Sequence, residues 1–83
     1  MKVNLRYFAS LRETLGVGSE SMDTTAATLG ALRDELIAKG GAYAEALGRG
    51  RVVRAAVNQT MSDESAALSE GAEIGFFPPV TGG

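Results

Sequence analysis

The chain has 83 residues, 45% of them hydrophobic, and its ten acidic and eight basic side chains leave a formal net charge of −2. That is enough for one domain with a small core, and it makes nucleic acid and anionic membrane poor partners. It has no cysteine and no histidine, which excludes disulfides, thiolate nucleophiles, imidazole bases and ordinary zinc sites.

Val3, Leu5 and Tyr7 alternate with Lys2, Asn4, Arg6 and Phe8, which predicts a half-buried strand over residues 2–8. Phe8 is an aromatic on the polar face; it either covers the strand's end or belongs to a docking patch. Leu11 and Leu15 predict a short helix over residues 10–15, with Gly16 at the left-handed position after it. Residues 17–22, with Val17 and Met22 as their apolar members, predict a weak second strand antiparallel to the first. Thr28 is placed to cap the main helix, whose stripe is Leu29, Leu32, Leu36 and Ile37. Arg33, Asp34, Glu35 and Lys39 fall mostly elsewhere on the wheel. Gly40-Gly41 ends that helix, and residues 42–47 make one further turn with Tyr43 and Leu47 four apart.

Arg49 and Arg51 sit in a glycine-rich turn and read as a solvated loop before an anion site. Residues 52–57 predict a strand with Val53, Ala55 and Val57 inward. Asn58-Gln59 makes the bend, asparagine tolerating a left-handed backbone there, and Thr60-Met61-Ser62 forms a short fourth strand. Residues 63–67 are a polar connection. After the turn Ser69-Glu70-Gly71, residues 72–77 form the last strand, with Ile74 and Phe76 on one face and Phe77 on the other. The pattern predicts an α+β fold: a small mixed sheet of about five strands with one principal helix packed across it. No apolar run is long enough to span a bilayer, and no signal peptide is read at the start, so a cytoplasmic location is expected.

No carboxylates are spaced as a convincing acid/base pair, and attention moves to the last residues, Phe76-Phe77-Pro78-Pro79-Val80-Thr81-Gly82-Gly83. Two prolines stop the ladder and send the chain out stiffly. Residues 1–79 are read as the body and residues 80–83 as a flexible tail. The five residues from Pro79 reach at most roughly 17 Å. Glycine lets backbone approach a foreign surface closely, so a Gly-Gly end can thread a narrow channel and set its carboxylate beside a phosphate or a nucleophile.

Tyr7-Phe8-Ala9, Leu11-Arg12-Glu13, Gly16, Thr28-Leu29, Leu32-Arg33, residues 55–60 and the ending Phe-Phe-Pro-Pro-Val-Thr-Gly-Gly occur in an order that resembles the ubiquitin-like β-grasp sulfur carriers. Among these, the chain is most similar to the small subunits of molybdopterin synthase. The resemblance implies that an ATP-dependent activating enzyme adenylates Gly83. A separate sulfur donor protein then converts it to a thiocarboxylate, with no permanently bound cofactor. The tail, with Val80, Thr81 and Gly82 as threading contacts, enters the large synthase subunit and gives its sulfur to a cyclic pyranopterin monophosphate. The implied assembly is a heterotetramer in which this chain is not catalytic alone. Phe8, Met61 and Phe77, outward by alternation, are the expected partner interface. Three alternatives are a carrier serving thiamine or cysteine synthesis, a modifier joining Gly83 to lysines, and a binding module with an inert tail.

Overall fold

The computed structural model describes residues 1–79. Strand β1 (Lys2–Tyr7) buries Val3, Leu5 and Tyr7 and exposes the residues between them, as period-two patterning dictates. Phe8 stays extended but leaves the strand as the residue before helix α1 (Ala9–Leu15). That helix buries Leu11 and ends at Gly16, whose φ of 78° lets its amide donate to the Arg12 carbonyl. Strand β2 (Ser19–Asp23) returns antiparallel and sets Met22 opposite Val3. It starts later than the sequence suggests, and Val17 is left exposed before it.

Helix α2 (Leu29–Ala38) is capped by Thr28, whose hydroxyl accepts from the Ala31 amide at 3.2 Å. Gly40 and Gly41, at φ 75° and 55°, turn the chain into helix α3 (Gly41–Leu47). At seven residues α3 is nearly two turns, longer than the single turn the sequence suggests, because Ala46 and Leu47 anchor its far end in the core. Strand β3 (Arg54–Val57) omits Val52, which is 69% exposed. A two-residue bend with Asn58 and Gln59 both at positive φ leads into β4 (Thr60–Ser62). Strand β5 (Glu73–Phe77) closes the sheet.

The sheet order is β2-β1-β5-β3-β4. The middle pair, β1 and β5, is parallel, and the other pairings are antiparallel. Leu29, Leu32 and Leu36 of α2 cover one face, meeting Val3, Leu5, Tyr7, Ile74 and Phe76 in a single core. The opposite face carries Asn4, Arg6 and Phe8 in the open.

Two segments depart from local pattern. Arg33 is buried although it lies off the leucine stripe: Nε donates to the Leu47 carbonyl at 2.8 Å, and Nη2 to the Gly48 and Arg51 carbonyls at 2.9 and 3.0 Å. It thereby satisfies the backbone acceptors of the link between α3 and β3. Arg49 is likewise engaged, bonding Asp34 and Glu64, so the turn is tied down by carboxylates. Residues 63–67 wrap the start of α2: the Leu29 amide donates to Ala66 and the Gly30 amide to Glu64, each at 2.9 Å. A Cβ at residue 30 would stand 3.0 Å from Glu64, so the close approach needs glycine.

Candidate functional site

The end of β5 gathers the outward aromatics. β1 and β5 run side by side in the same direction, with Tyr7 opposite Phe76. The next residues along, Phe8 and Phe77, therefore emerge together on the uncovered face. Their rings meet edge to face, with centroids 6.5 Å apart and planes at 77°. Phe8 is 43% exposed, and Phe77 is half-buried. The Arg6 guanidinium stands over the Phe8 ring at 5.7 Å and 3.6 Å from the Glu73 carboxylate. Phe8 also leans over Gly75, where a Cβ would lie 3.1 Å from the ring. Beside the two rings lies a hollow of about 160 Å³ that they line together with Gly75 and Ala56.

Met61 is 59% exposed and sits in register with Ala56, which in turn faces Gly75. It shares the outward row, yet it does not border this hollow. It borders a second cavity of about 390 Å³ with Leu29, Val53 and Phe76. Of the three aromatic or apolar interface candidates, Phe8 and Phe77 are brought together and Met61 stands apart. Pro78 and Pro79 follow Phe77 half-buried. Val80, Thr81, Gly82 and Gly83, the tail on which the sequence reading concentrates, lie outside the described residues.

The body offers little chemistry of its own. The phenols of Tyr7 and Tyr43 both donate to Glu20 Oε2, at 2.8 and 2.6 Å. The bond to Glu20 and burial push the Tyr43 hydroxyl up to about 12. Burial first, then the same carboxylate, raises Tyr7 further beyond its ordinary range. Neither phenol can act as a base near neutrality. The Arg49 guanidinium holds the Glu64 carboxyl below its usual range, and Ser65 does the same for Asp63. Among the described residues no group of three or more acidic side chains could hold a metal ion. Every buried side-chain donor or acceptor among them has a partner, so no orphaned polar group marks a cofactor seat.

Gly75 as the seat of Phe8 is not legible in any local stretch, because that role depends on which strand becomes β1's parallel neighbour. Ala9 went unnoticed for a similar reason. Its φ of 52° is the left-handed region, rare for alanine, and nothing in the local sequence requires it.

Comparison with known proteins agrees with this architecture along the whole chain. A molybdopterin synthase sulfur carrier subunit from Haemophilus influenzae is 42% identical over 81 residues, covering 98% of this chain and 99% of the relative. The crystal structure of SAMP1 from Haloferax volcanii matches with a TM-score of 0.78 at 27% identity, covering 100% of both chains. The complex of subunits 1 and 2 of molybdopterin-converting factor from Helicobacter pylori contains a chain that matches with a TM-score of 0.70 at 28% identity, again covering 100% of both. The ThiS family model matches residues 5–83. With a ubiquitin-like β-grasp fold, the chain belongs to the ThiS family, in the company of the molybdopterin synthase sulfur carrier subunits.

Proposed function

We propose that this chain is the sulfur-carrying small subunit of a cytoplasmic molybdopterin synthase, with the carboxyl group of Gly83 as its reacting group. The observation that carries the reading is a family match that runs through the Gly-Gly end, on a body whose two phenols are both held by Glu20. In this scheme a carboxylate oxygen of Gly83 attacks the α-phosphorus of ATP on the activating enzyme, and pyrophosphate leaves. The acyl-adenylate then carries a good leaving group. A persulfide of the donor protein displaces AMP to give an acyl disulfide, and attack of a second thiol on the donor's sulfur releases the thiocarboxylate and leaves a disulfide behind. The free carboxylate could not be displaced in this way.

The central strand β5 would then present the tail to the large subunit, with Pro78 and Pro79 setting its direction. Threading Val80, Thr81 and Gly82 holds the sulfur at high effective concentration beside the pterin and keeps water away. The sulfur attacks a carbon of the pyranopterin and displaces an oxygen substituent there, leaving a thioester between the pterin and Gly83. Hydrolysis of the bond to the Gly83 carbonyl returns the carboxylate, and two such transfers complete the dithiolene. Phe8 and Phe77 form the centre of the docking face, with Met61 farther out on the same side of the sheet, since gathered exposed apolar side chains mark protein contacts. The assembly is a heterotetramer with two copies of this chain flanking a large-subunit dimer.

Intact mass after incubation with the activating enzyme, ATP and a sulfur donor tests the scheme. The expected product gains the difference between one sulfur and one oxygen at Gly83, and deletion of Gly83 abolishes it. An unchanged mass with an active enzyme present defeats the reading. The likeness to SAMP1, a small archaeal modifier protein, favours a second reading in which Gly83 forms isopeptide bonds. Conjugate ladders in a cell lysate, in place of a free thiocarboxylate, would establish it.

A further inference from the structure

We infer that the hollow beside Phe8 and Phe77 is a receptor for one uncharged apolar side chain of the large subunit, and that Gly75 and Ala56 set its depth. The inference rests on the docking face proposed above and adds what that face selects.

Gly75 lies opposite Arg6 on one side and Ala56 on the other. Two minimal side chains in adjacent strands drop the floor of the sheet beside two large rings. The resulting space, about 160 Å³, is close to the roughly 150 Å³ that accommodates a benzene in a protein interior. It therefore takes a side chain of leucine, methionine or phenylalanine size. The two rings line it together with Gln59 and the Arg6–Glu73 pair, 3.6 Å apart. An apolar centre closed by mutually neutralised charges excludes a charged occupant and keeps water from a filled site.

The backbone supports the same conclusion independently. Ala9 adopts φ 52° directly after Phe8, and both residues are exposed. The strain gains no burial; what it does is turn the chain into α1 while the Phe8 ring stays pointed across Gly75. Sparsely populated backbone of this kind clusters at binding sites. The occupant follows from the chain's own continuation. Residues 80–83 follow Pro79 directly and can reach at most roughly 14 Å from it. A protein that encloses Gly83 must therefore sit against this end of β5.

The test is titration of the large subunit from the same organism against the wild type, Ala56→Leu and Gly75→Ala, with thermal melting of each free chain as a check on folding. Ala56→Leu fills the hollow from below, and Gly75→Ala lifts the Phe8 ring. Each is expected to weaken binding about 30-fold or more, the scale of an interface hot spot, with melting within a few degrees of wild type. In the wild-type chain the Ala56 methyl resonance must shift when the large subunit is added, which requires no variant to fold. Unchanged affinity in a folded Ala56→Leu chain, or an unmoved Ala56 methyl in a formed complex, overturns the inference and leaves the sulfur-carrier reading standing. A wild-type chain that does not bind the large subunit at all overturns the docking proposal itself.

Discussion

Replacing Arg33 by methionine would test how the fold is held behind the presented face. The change keeps most of the side chain's bulk and removes the guanidinium. The Leu47, Gly48 and Arg51 carbonyls would lose donors at 2.8–3.0 Å, and Glu64 would lose one of its two arginines. Hydrogen bonds from a charged donor contribute about 1.5–3 kcal/mol each, yet the four do not add. Arg51 is exposed and Gly48 partly so, and water can take over there, whereas Leu47 is fully buried. The Glu64 side chain is 46% exposed, so its share is that of a surface pair, about 1 kcal/mol or less. The net loss is about 3 kcal/mol, a large part of the roughly 5–15 kcal/mol expected for a whole domain. It corresponds to a fall in Tm of roughly 12–24 °C for a domain of this size. Urea unfolding followed by far-ultraviolet circular dichroism measures it, with Glu64→Gln as the control that should lose no more than about 1 kcal/mol. An Arg33→Met chain within about 1 kcal/mol of wild type, at unchanged m-value, would refute the claim that Arg33 satisfies the α3–β3 link.

Two further outcomes follow from the same geometry. Phe77→Ala is expected to leave the fold intact, since the ring lies on the outward face, while weakening the large-subunit complex by about 2 kcal/mol; unfolding of that variant at ordinary temperature would contradict the placement. The chain has two tyrosines and no tryptophan, so tyrosinate absorbance reports Tyr7 and Tyr43 alone. Both folded-state values are raised, Tyr43 to about 12. The stability they contribute is therefore complete below the unfolded value of about 10 and is lost as pH rises through the folded values. Alkaline titration of the folded protein should show Tyr43 ionising near 12 and Tyr7 later. An ordinary midpoint near 10 without unfolding would contradict the shared bond to Glu20, and Glu20→Gln should lower both.

What the sequence discloses is what nearest neighbours decide. The alternation of Val3, Leu5 and Tyr7, the Thr28 cap, the left-handed Gly16 and the Asn58-Gln59 bend are short-range choices, and each stands in the structure where the pattern places it. The burial of Arg33, off the leucine stripe, is not legible because the carbonyls it donates to are fourteen or more positions away, brought near only when α3 packs. The start of β3 was set two residues early, because Val52 is a good strand former with no neighbour to pair with. The outward aromatics were legible from parity alone. Their pairing, the seat at Gly75 and the separation of Met61 required the strand order, which depends on the sheet as a whole and on no local stretch.

The parallel pairing of β1 with β5 has a consequence for biosynthesis. The two middle strands are the first and the last to leave the ribosome, so no nascent intermediate can close the sheet. Leu5 has no Ile74 beside it until β5 has emerged. The sheet thereby closes only after β5 has emerged, and a product truncated before β5 is left with an open hydrophobic edge for proteases to find.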